Sequence, residues 1–330
     1  MGGTHKILLF FVTVLIVAGG GAVYWGNAQF KQPGPLPTER TVIIERGASI
    51  NAIARDLKRA GVLANPLVFR LAVRFSGPGK PLKAGEYAFP ARISPESVLD
   101  LLRSGRTVVR RVTFAEGLST GEILAQLART PGLDGAFSFS PGEGTLLPET
   151  YHYSHGDKRR DIVRRMTTAM EDLLVKLWKN RAEGLPLKSP GEALVLASIV
   201  EKETALAVER PRIAAVFINR LNKGMRLQSD PTVVYGLTRG VKPLGRALLR
   251  ADLKKPSPYN TYLIDGLPPG PISNPGAASL EAVLRPAQSQ DLYFVADGSG
   301  GHVFSKTLAE HNRNVAKWRK LNKTGKKLDQ

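Results

Sequence analysis

The sequence contains no cysteine, and acidic residues are scarce: 28 Asp and Glu stand against 47 Lys and Arg, a formal charge of +19. Without thiols, a disulfide framework, an iron–sulfur cluster, a cysteine-ligated zinc and a thiol nucleophile are all excluded. The basic surplus points to a polyanionic partner, which could be nucleic acid, an anionic membrane surface or an anionic wall polymer. Histidine is equally sparse, with 5 in the chain and no H-E-x-x-H arrangement. His152 and His155 lie three apart and His302 and His311 fall near the end; they read as polar loop or cleft residues, and no metal is expected. Apolar residues at 42% and charged residues at 23% exclude a wholly disordered chain. A length of 330 residues leaves room for two domains, or one domain with appendages.

One long hydrophobic run is present. From Ile7 to Phe30 no residue is charged, and the 19-residue stretch ILLFFVTVLIVAGGGAVYW ends on Tyr24 and Trp25. A bilayer core takes about 20 apolar residues, and aromatic rings favour its interface. The run is longer than the ~7–15 apolar residues of a secretion signal, and a core helix would show a polar face. A retained anchor over 7–26 is therefore expected, preceded by a short cytoplasmic N-terminus, 1–6. Small residues at Gly26 and Ala28 leave cleavage as the competing outcome. Lys6 and the α-amine before the span favour an N-in orientation, which puts the remainder outside the cytoplasm and argues against a nucleic-acid partner. Residues 27–40, with KQPGPLPT at 31–38, read as a semi-rigid spacer.

Beyond the spacer the sequence repeats. Shifting residues 41–63 by 70 lays them on 111–133 without a gap: Val42 meets Val112, Gly47 meets Gly117, Ser49 meets Ser119, Ile53 meets Ile123, Leu57 meets Leu127 and Leu63 meets Leu133. Each copy reads as a short strand, a turn glycine, a serine helix cap and a helix with one apolar face. Two α+β modules are expected, at 41–106 and 107–185. The first continues through PLVFRLAVRF into a closing strand near KPLKAGEYAF. A strand, two helices and a strand in this span resemble a LysM-type module, the small fold that binds N-acetylglucosamine-containing glycans; a purely structural spacer is the alternative.

Further on, Ala193 to Val200 is apolar except for Ser198 and leads directly into Glu201. A helix apolar all round is buried, and a carboxyl held among apolar neighbours has its pKa raised, as a general acid near neutral pH requires. Glu203 lies about 200° round the helix and faces away from Glu201. The bland alternative pairs Glu201 with Arg210 or Arg220. Gln228, Ser229 and Asp230 precede Pro231 and are expected on an ordered loop. The segment SPYNTYLIDGLPPGPISNPG presents Tyr259, Asn260, Tyr262 and Asn274, flat faces and amides suited to a sugar. Leu292–Ala296, an Asp297–Gly298 turn and His302–Phe304 read as a hairpin that returns His302 beside the first strand.

These segments together, ASIVEKET at 197–204, FINRL at 217–221, RLQSDPTVVYG at 226–236, YNTY at 259–262, GLPPGPI at 266–272 and FVADGSGGHVF at 294–304, closely resemble the endolytic murein transglycosylases, the MltG or YceG-like family. The resemblance runs over about 40–318 and implies a bacterial inner-membrane protein whose catalytic domain, 186–318, faces the periplasm or wall and cuts glycan strands internally. It implies Glu201 as the catalytic acid and base, giving 1,6-anhydro ends without water. It implies no cofactor, and peptidoglycan synthases as partners. Asn219, Gln228, Asp230, Tyr259, Asn260, Tyr262 and His302 are the expected substrate contacts. Should Asp230 lie across from Glu201, a hydrolytic muramidase would fit instead, because ordinary glycosidases need two carboxylates ~5–9.5 Å apart. A non-catalytic glycan-binding scaffold is the remaining alternative. The basic tail, 319–330, reads as solvated or as attracted to anionic headgroups. The expected architecture is α+β: one transmembrane helix, LysM-like modules and a mixed α/β catalytic domain.

Overall fold

The structure, a computed structural model, describes residues 3–76, 81–137 and 140–328. Met1, Gly2, Lys80 and the last two residues of the basic tail, to which expectations were attached, lie outside the described residues. The chain is mixed α and β and divides into two compact units, one formed by 1–110 with 152–157 and the other by 111–151 with 158–330.

The first unit begins with helix α1 (Gly3–Lys31), apolar enough over His5–Lys31 to cross a membrane. It outruns the expected 7–26 because nothing breaks the helical pattern before Pro33. Strand β1 (Arg40–Ile44), helices α2 (Ile50–Arg59) and α3 (Pro66–Phe75), strand β2 (Gly85–Phe89) and helix α4 (Pro95–Ser104) follow. Strands β1 and β2 pair antiparallel with Val42 opposite Tyr87, giving a strand–helix–helix–strand order. Ser49 caps α2 and Asn65 caps α3, each accepting a backbone N–H of the first turn. Ile44, Ile53, Leu57, Phe69, Tyr87, Phe89, Val98 and Leu102 form the core, each such side chain contributing about 1.5–3 kcal/mol on burial. A buried Glu86 holds Arg110 through two hydrogen bonds of 2.6 Å.

The proline-rich segment is not a free spacer. Leu36 is buried, its carbonyl accepts from Arg92, and the Gly34 N–H donates to the Arg92 and Ile93 carbonyls. A Cβ at Gly34 would collide with the Ile93 carbonyl oxygen, so a side chain there would push the strap off this unit.

Strand β3 (Arg110–Thr113), in the second unit from residue 111 on, and helix α5 (Thr120–Arg129) make the second copy of the repeat. The local geometries coincide: Gly47 and Gly117 adopt φ of 76° and 77°, and the capping serines Ser49 and Ser119 φ of −68° and −70°. Both glycines occupy the left-handed region that other residues enter only at a cost. Thereafter the copies diverge. The second continues into short strands β4 (Leu133–Asp134), β5 (Thr150–Tyr153) and β6 (Asp157–Lys158) and not into a second helix. Asn274 binds this segment to the rest of the unit: its backbone N–H donates to Leu118, its carbonyl accepts from Gly117, and its side-chain amide donates to Leu118 and Thr120. Asn274 is thus a buried structural hub and not a sugar contact.

Helices α6 (Arg159–Lys179), α7 (Pro190–Glu203), α8 (Arg210–Asn222), α9 (Asp230–Thr238) and α10 (Ala277–Leu284) follow, then the β7 (Tyr293–Ala296)–β8 (His302–Ser305) hairpin and α11 (Leu308–Leu328). Helix α7 is buried from Ala193 to Val200, sandwiched by α8 and α10, as its unbroken apolar run predicts. Its one polar interior group, Ser198, donates to the Val195 carbonyl and accepts from the Ile272 N–H, leaving nothing unsatisfied.

Candidate active site

Glu201 and Glu203 end α7 and, as the helical period requires, point to different surroundings. The Glu201 carboxylate accepts from Arg210 at 3.2 Å and from the Gly276 N–H at 2.9 Å. Arg210 is shared with Glu116 at 3.0 Å, and burial followed by the nearby Glu201 charge raises the Glu116 pKa. Both oxygens of Glu201 are therefore engaged in a buried ion-pair network that joins α7, α8 and the start of α10. This is the bland pairing that the sequence left open.

Glu203 is different. Burial pushes its carboxyl from 4.5 up to about 7; the Asp230 charge adds to the rise, while a hydrogen bond from Ser229 and the charges of His302 and Arg220 oppose it. The Ser229 hydroxyl donates to Oε1 at 2.5 Å. Yet the residue retains partial solvent contact. A carboxyl that is desolvated and keeps its proton to near neutrality has the properties of a general acid.

The loop facing Glu203 is held rigidly. Gln228 takes a left-handed φ of 51°, unusual for a residue with a side chain. Its N–H donates to the Thr261 carbonyl, and the Ser229 N–H donates to the Thr261 hydroxyl. The buried Arg220 donates to the Arg226, Leu227 and Leu292 carbonyls and lies over the Tyr293 ring. Those bonds aim the Ser229 hydroxyl at Glu203. Asp230 is not on the loop but is the first residue of α9, with Pro231 in the first turn. Proline is tolerated there because that N–H has no intrahelical partner, which corrects the expectation that Asp230 lies on the loop. The Asp230 carboxylate accepts from the Tyr262 hydroxyl at 2.7 Å, and burial together with that carboxylate raises the Tyr262 pKa.

His302 opens β8 opposite Ala296. The turn before it is a five-residue loop, 297–301, and not the expected two-residue Asp-Gly turn, because the Asp297 carboxylate gathers the Ser299 and Gly301 N–H groups. His302 Nδ1 lies 2.7 Å from Glu209, whose other oxygen accepts the His302 backbone N–H. Burial acts to raise the Glu209 pKa, but these bonds from His302 outweigh it and hold the carboxyl below its ordinary value. With Nδ1 donating to a carboxylate, Nε2 is the nitrogen left for other partners.

Of the expected contacts, Asp230, Tyr262 and His302 thus gather around Glu203, and Gln228 precedes Ser229 on the loop that bonds to it. Asn219 does not: its amide donates to the Ser289 and Asp291 carbonyls. Asn260 is fully buried and donates to the Leu253 and Lys255 carbonyls. Tyr259 packs on Tyr235 at 4.8 Å, with Arg239 over its ring. The GLPPGPI segment lines a separate hollow of about 680 Å³ with Lys188 and Glu192. Sequence reasoning named Glu203 and Ser229 without giving either a role, and passed over Glu209 and Thr261. The available signal was the spacing itself, since two carboxylates two apart at the end of a buried helix cannot share one environment.

A desolvated carboxyl ringed by a serine, a carboxylate–tyrosine pair and a carboxylate–histidine pair is an arrangement able to transfer a proton, carried on a mixed α+β scaffold. A sequence model of the YceG-like family matches residues 42–317, most of the chain, and the protein belongs to that family. It is 32% identical over 332 residues to an endolytic murein transglycosylase of Bacillus subtilis (strain 168), covering 91% of this chain and 90% of that protein. It is 29% identical to a protein of the same name from Streptococcus pneumoniae serotype 2, covering 94% of this chain and 64% of the other. A crystal structure of the yceG-like protein lmo1499 from Listeria monocytogenes aligns at 32% identity over 84% of this chain and 99% of that one, with a TM-score of 0.49.

Proposed function

We propose that this protein is a membrane-anchored lytic transglycosylase that cuts peptidoglycan glycan strands internally, with Glu203 as the single acid and base. The observation that carries the reading is the Glu203 carboxyl, lifted to about 7 while its oxygen is held by Ser229. As acid, Glu203 gives its proton to the glycosidic oxygen between N-acetylmuramic acid and N-acetylglucosamine. As base, it takes the proton from the muramoyl C6 hydroxyl while that oxygen attacks C1. The bond to C1 is replaced by an internal ether, the leaving sugar keeps the first proton, and no water is consumed. In this reading His302 and Tyr262, each oriented by a carboxylate, bind the sugar beside it, with Gln228 next to Ser229 on the facing loop.

Glu201 takes the structural part in this reading, because its charge is already satisfied by Arg210 and the Gly276 N–H. The names of the relatives support peptidoglycan as substrate, and the strand–helix–helix–strand order of the first unit is compatible with a LysM-like grip on the same glycan. Helix α1 would anchor the protein in the inner membrane with the N-terminus cytoplasmic, and peptidoglycan synthases are the partners whose product it would trim. The test is mass spectrometry of uncrosslinked glycan incubated with the detergent-solubilised full chain. Internal fragments with 1,6-anhydro ends, lost in Glu203→Gln and kept in Glu201→Gln, support the proposal. Reducing ends would mean hydrolysis with Asp230 as second carboxylate, and an uncut glycan with a folded protein would favour the binding scaffold.

A further inference from the structure

Helix α3 shows its core only part of its surface. Val68 and Phe69 are buried, but Leu67, Leu71 and Phe75, spaced four apart along one stripe, are 50%, 41% and 79% exposed. Arg70 and Arg74 run along the edge of that stripe, and α3 carries no acidic residue. Contiguous exposed apolar surface of this kind marks an interaction site. Its neighbours indicate the occupant. Helices α3 and α4 pack against α1, and the groove between the three, about 650 Å³, is lined by Val23, Trp25 and Phe30 of α1, Leu71 and Phe75 of α3, and Arg103 of α4. Glu96 and Asp100 lie on its α4 wall, and the Arg103 Nε has no hydrogen-bond partner.

The depth of this groove follows from length. Helix α1 has 29 residues, about 43 Å at ~1.5 Å per residue, against a hydrocarbon core of about 30 Å. A span beginning at Ile7 is exhausted near Gly26, so Ala22 to Phe30 occupy the interface where the helix leaves the bilayer, with Tyr24 and Trp25 at the level aromatic rings prefer. The strap after α1 is tied down through Gly34 and Leu36, so α3 cannot be carried away from that level by a loose linker.

We infer that α3, with the emerging end of α1, beds into the lipid interface of the leaflet that α1 exits: Leu67, Leu71 and Phe75 enter the acyl boundary while Arg70, Arg74 and Arg103 reach the headgroup phosphates. The first unit is thereby laid on the bilayer and not merely tethered to it. An amphipathic helix with arginines flanking its apolar face has this preference on physical grounds. The inference rests on reading α1 as a membrane span.

The absence of native cysteine makes the test direct. Full-length Leu15→Cys, Leu71→Cys, Phe75→Cys and Val175→Cys proteins, each spin-labelled, are reconstituted in vesicles of phosphatidylcholine and phosphatidylglycerol, and label accessibility to oxygen and to an aqueous nickel chelate is compared. Val175 is an exposed residue of α6 and supplies the aqueous reference. Labels at 71 and 75 should show an oxygen-to-nickel ratio several-fold above that at 175 and approaching that at 15. If 71 and 75 match 175 while 15 reads as lipid, the span stands and the bedding of α3 is refuted. If 15 also reads as aqueous, the span itself fails and the inference with it. Labels at 71 and 75 that are immobilised and shielded from both reagents would place protein, such as a second copy, on this face, and overturn lipid as its occupant.

Discussion

Replacing Glu203 by Gln keeps the shape of the side chain and its acceptor for the Ser229 hydroxyl, but removes the proton. At pH 7 a carboxyl at about 7 is protonated in about half of the molecules, whereas one at 4.5 would be protonated in roughly 0.3%. Environment alone therefore raises the active fraction about 150-fold, and general acid–base transfer is itself worth ~10²–10⁴. Glu203→Gln should accordingly lower kcat/KM for glycan cleavage by about 10³ or more, with circular dichroism unchanged. The neighbours supply a sharper check through the pH profile. Wild-type kcat/KM should fall as pH rises through about 7, the protonated fraction being the competent one. Ser229→Ala removes a donor that stabilises the carboxylate and should move that limb to higher pH. Asp230→Asn removes a negative charge that disfavours the carboxylate and should move it to lower pH. Opposite displacements identify Glu203 as the titrating acid. A full-rate Glu203→Gln enzyme, or a Glu201→Gln protein that folds but is inactive with an acid limb indifferent to Ser229 and Asp230, would refute the assignment.

The same carboxyl has a thermodynamic signature. Its folded pKa lies above 4.5, so the native state binds more protons than the unfolded chain, and stability from this group is full below pH 4.5 and lost as pH rises through about 7. Glu203→Gln should therefore be more stable than wild type at pH 8, by up to about 3 kcal/mol, and no more stable at pH 4, as read by thermal unfolding. Of the two repeat caps, Ser49→Ala should cost about 1 kcal/mol and Ser119→Ala about 2 kcal/mol, because Ser119 also completes a capping box with Glu122 and donates to the Gly240 carbonyl; equal losses in denaturant titrations would contradict this. Gly34→Ala should destabilise the first unit by about 1–3 kcal/mol, since its Cβ meets backbone carbonyls that cannot rotate away; proteolysis of the strap at 32–38 would report it.

What could be read in the sequence was local. The buried stretch of α7, Ala193 to Val200, follows from eight residues in which Ser198 alone is polar, and the repeat follows from turn glycines and capping serines whose backbone angles agree within a few degrees. The length of α1 beyond residue 26 was hidden because interface aromatics mark where lipid ends and not where a helix ends; Pro33 was the better signal. Asp230 was placed on a loop because proline was weighed as a breaker, whereas in a first helical turn it costs nothing.

The difference in surroundings between Glu201 and Glu203 was not local at all. Both follow the same apolar run. What separates them is which distant segment arrives at each face of the helix end: Arg210 and the Gly276 N–H on one side, Ser229, Asp230 and His302 on the other. A carboxyl given a hydroxyl and a neighbouring negative charge in a desolvated setting, as Glu203 is, is kept near its neutral form. The ion-pair network at Glu201 thereby does for its neighbour what an isolated helix end could not. It fixes the end of α7 through Arg210 and the start of α10, so that Glu203, two residues on, can remain desolvated and under-bonded without the helix end fraying towards water.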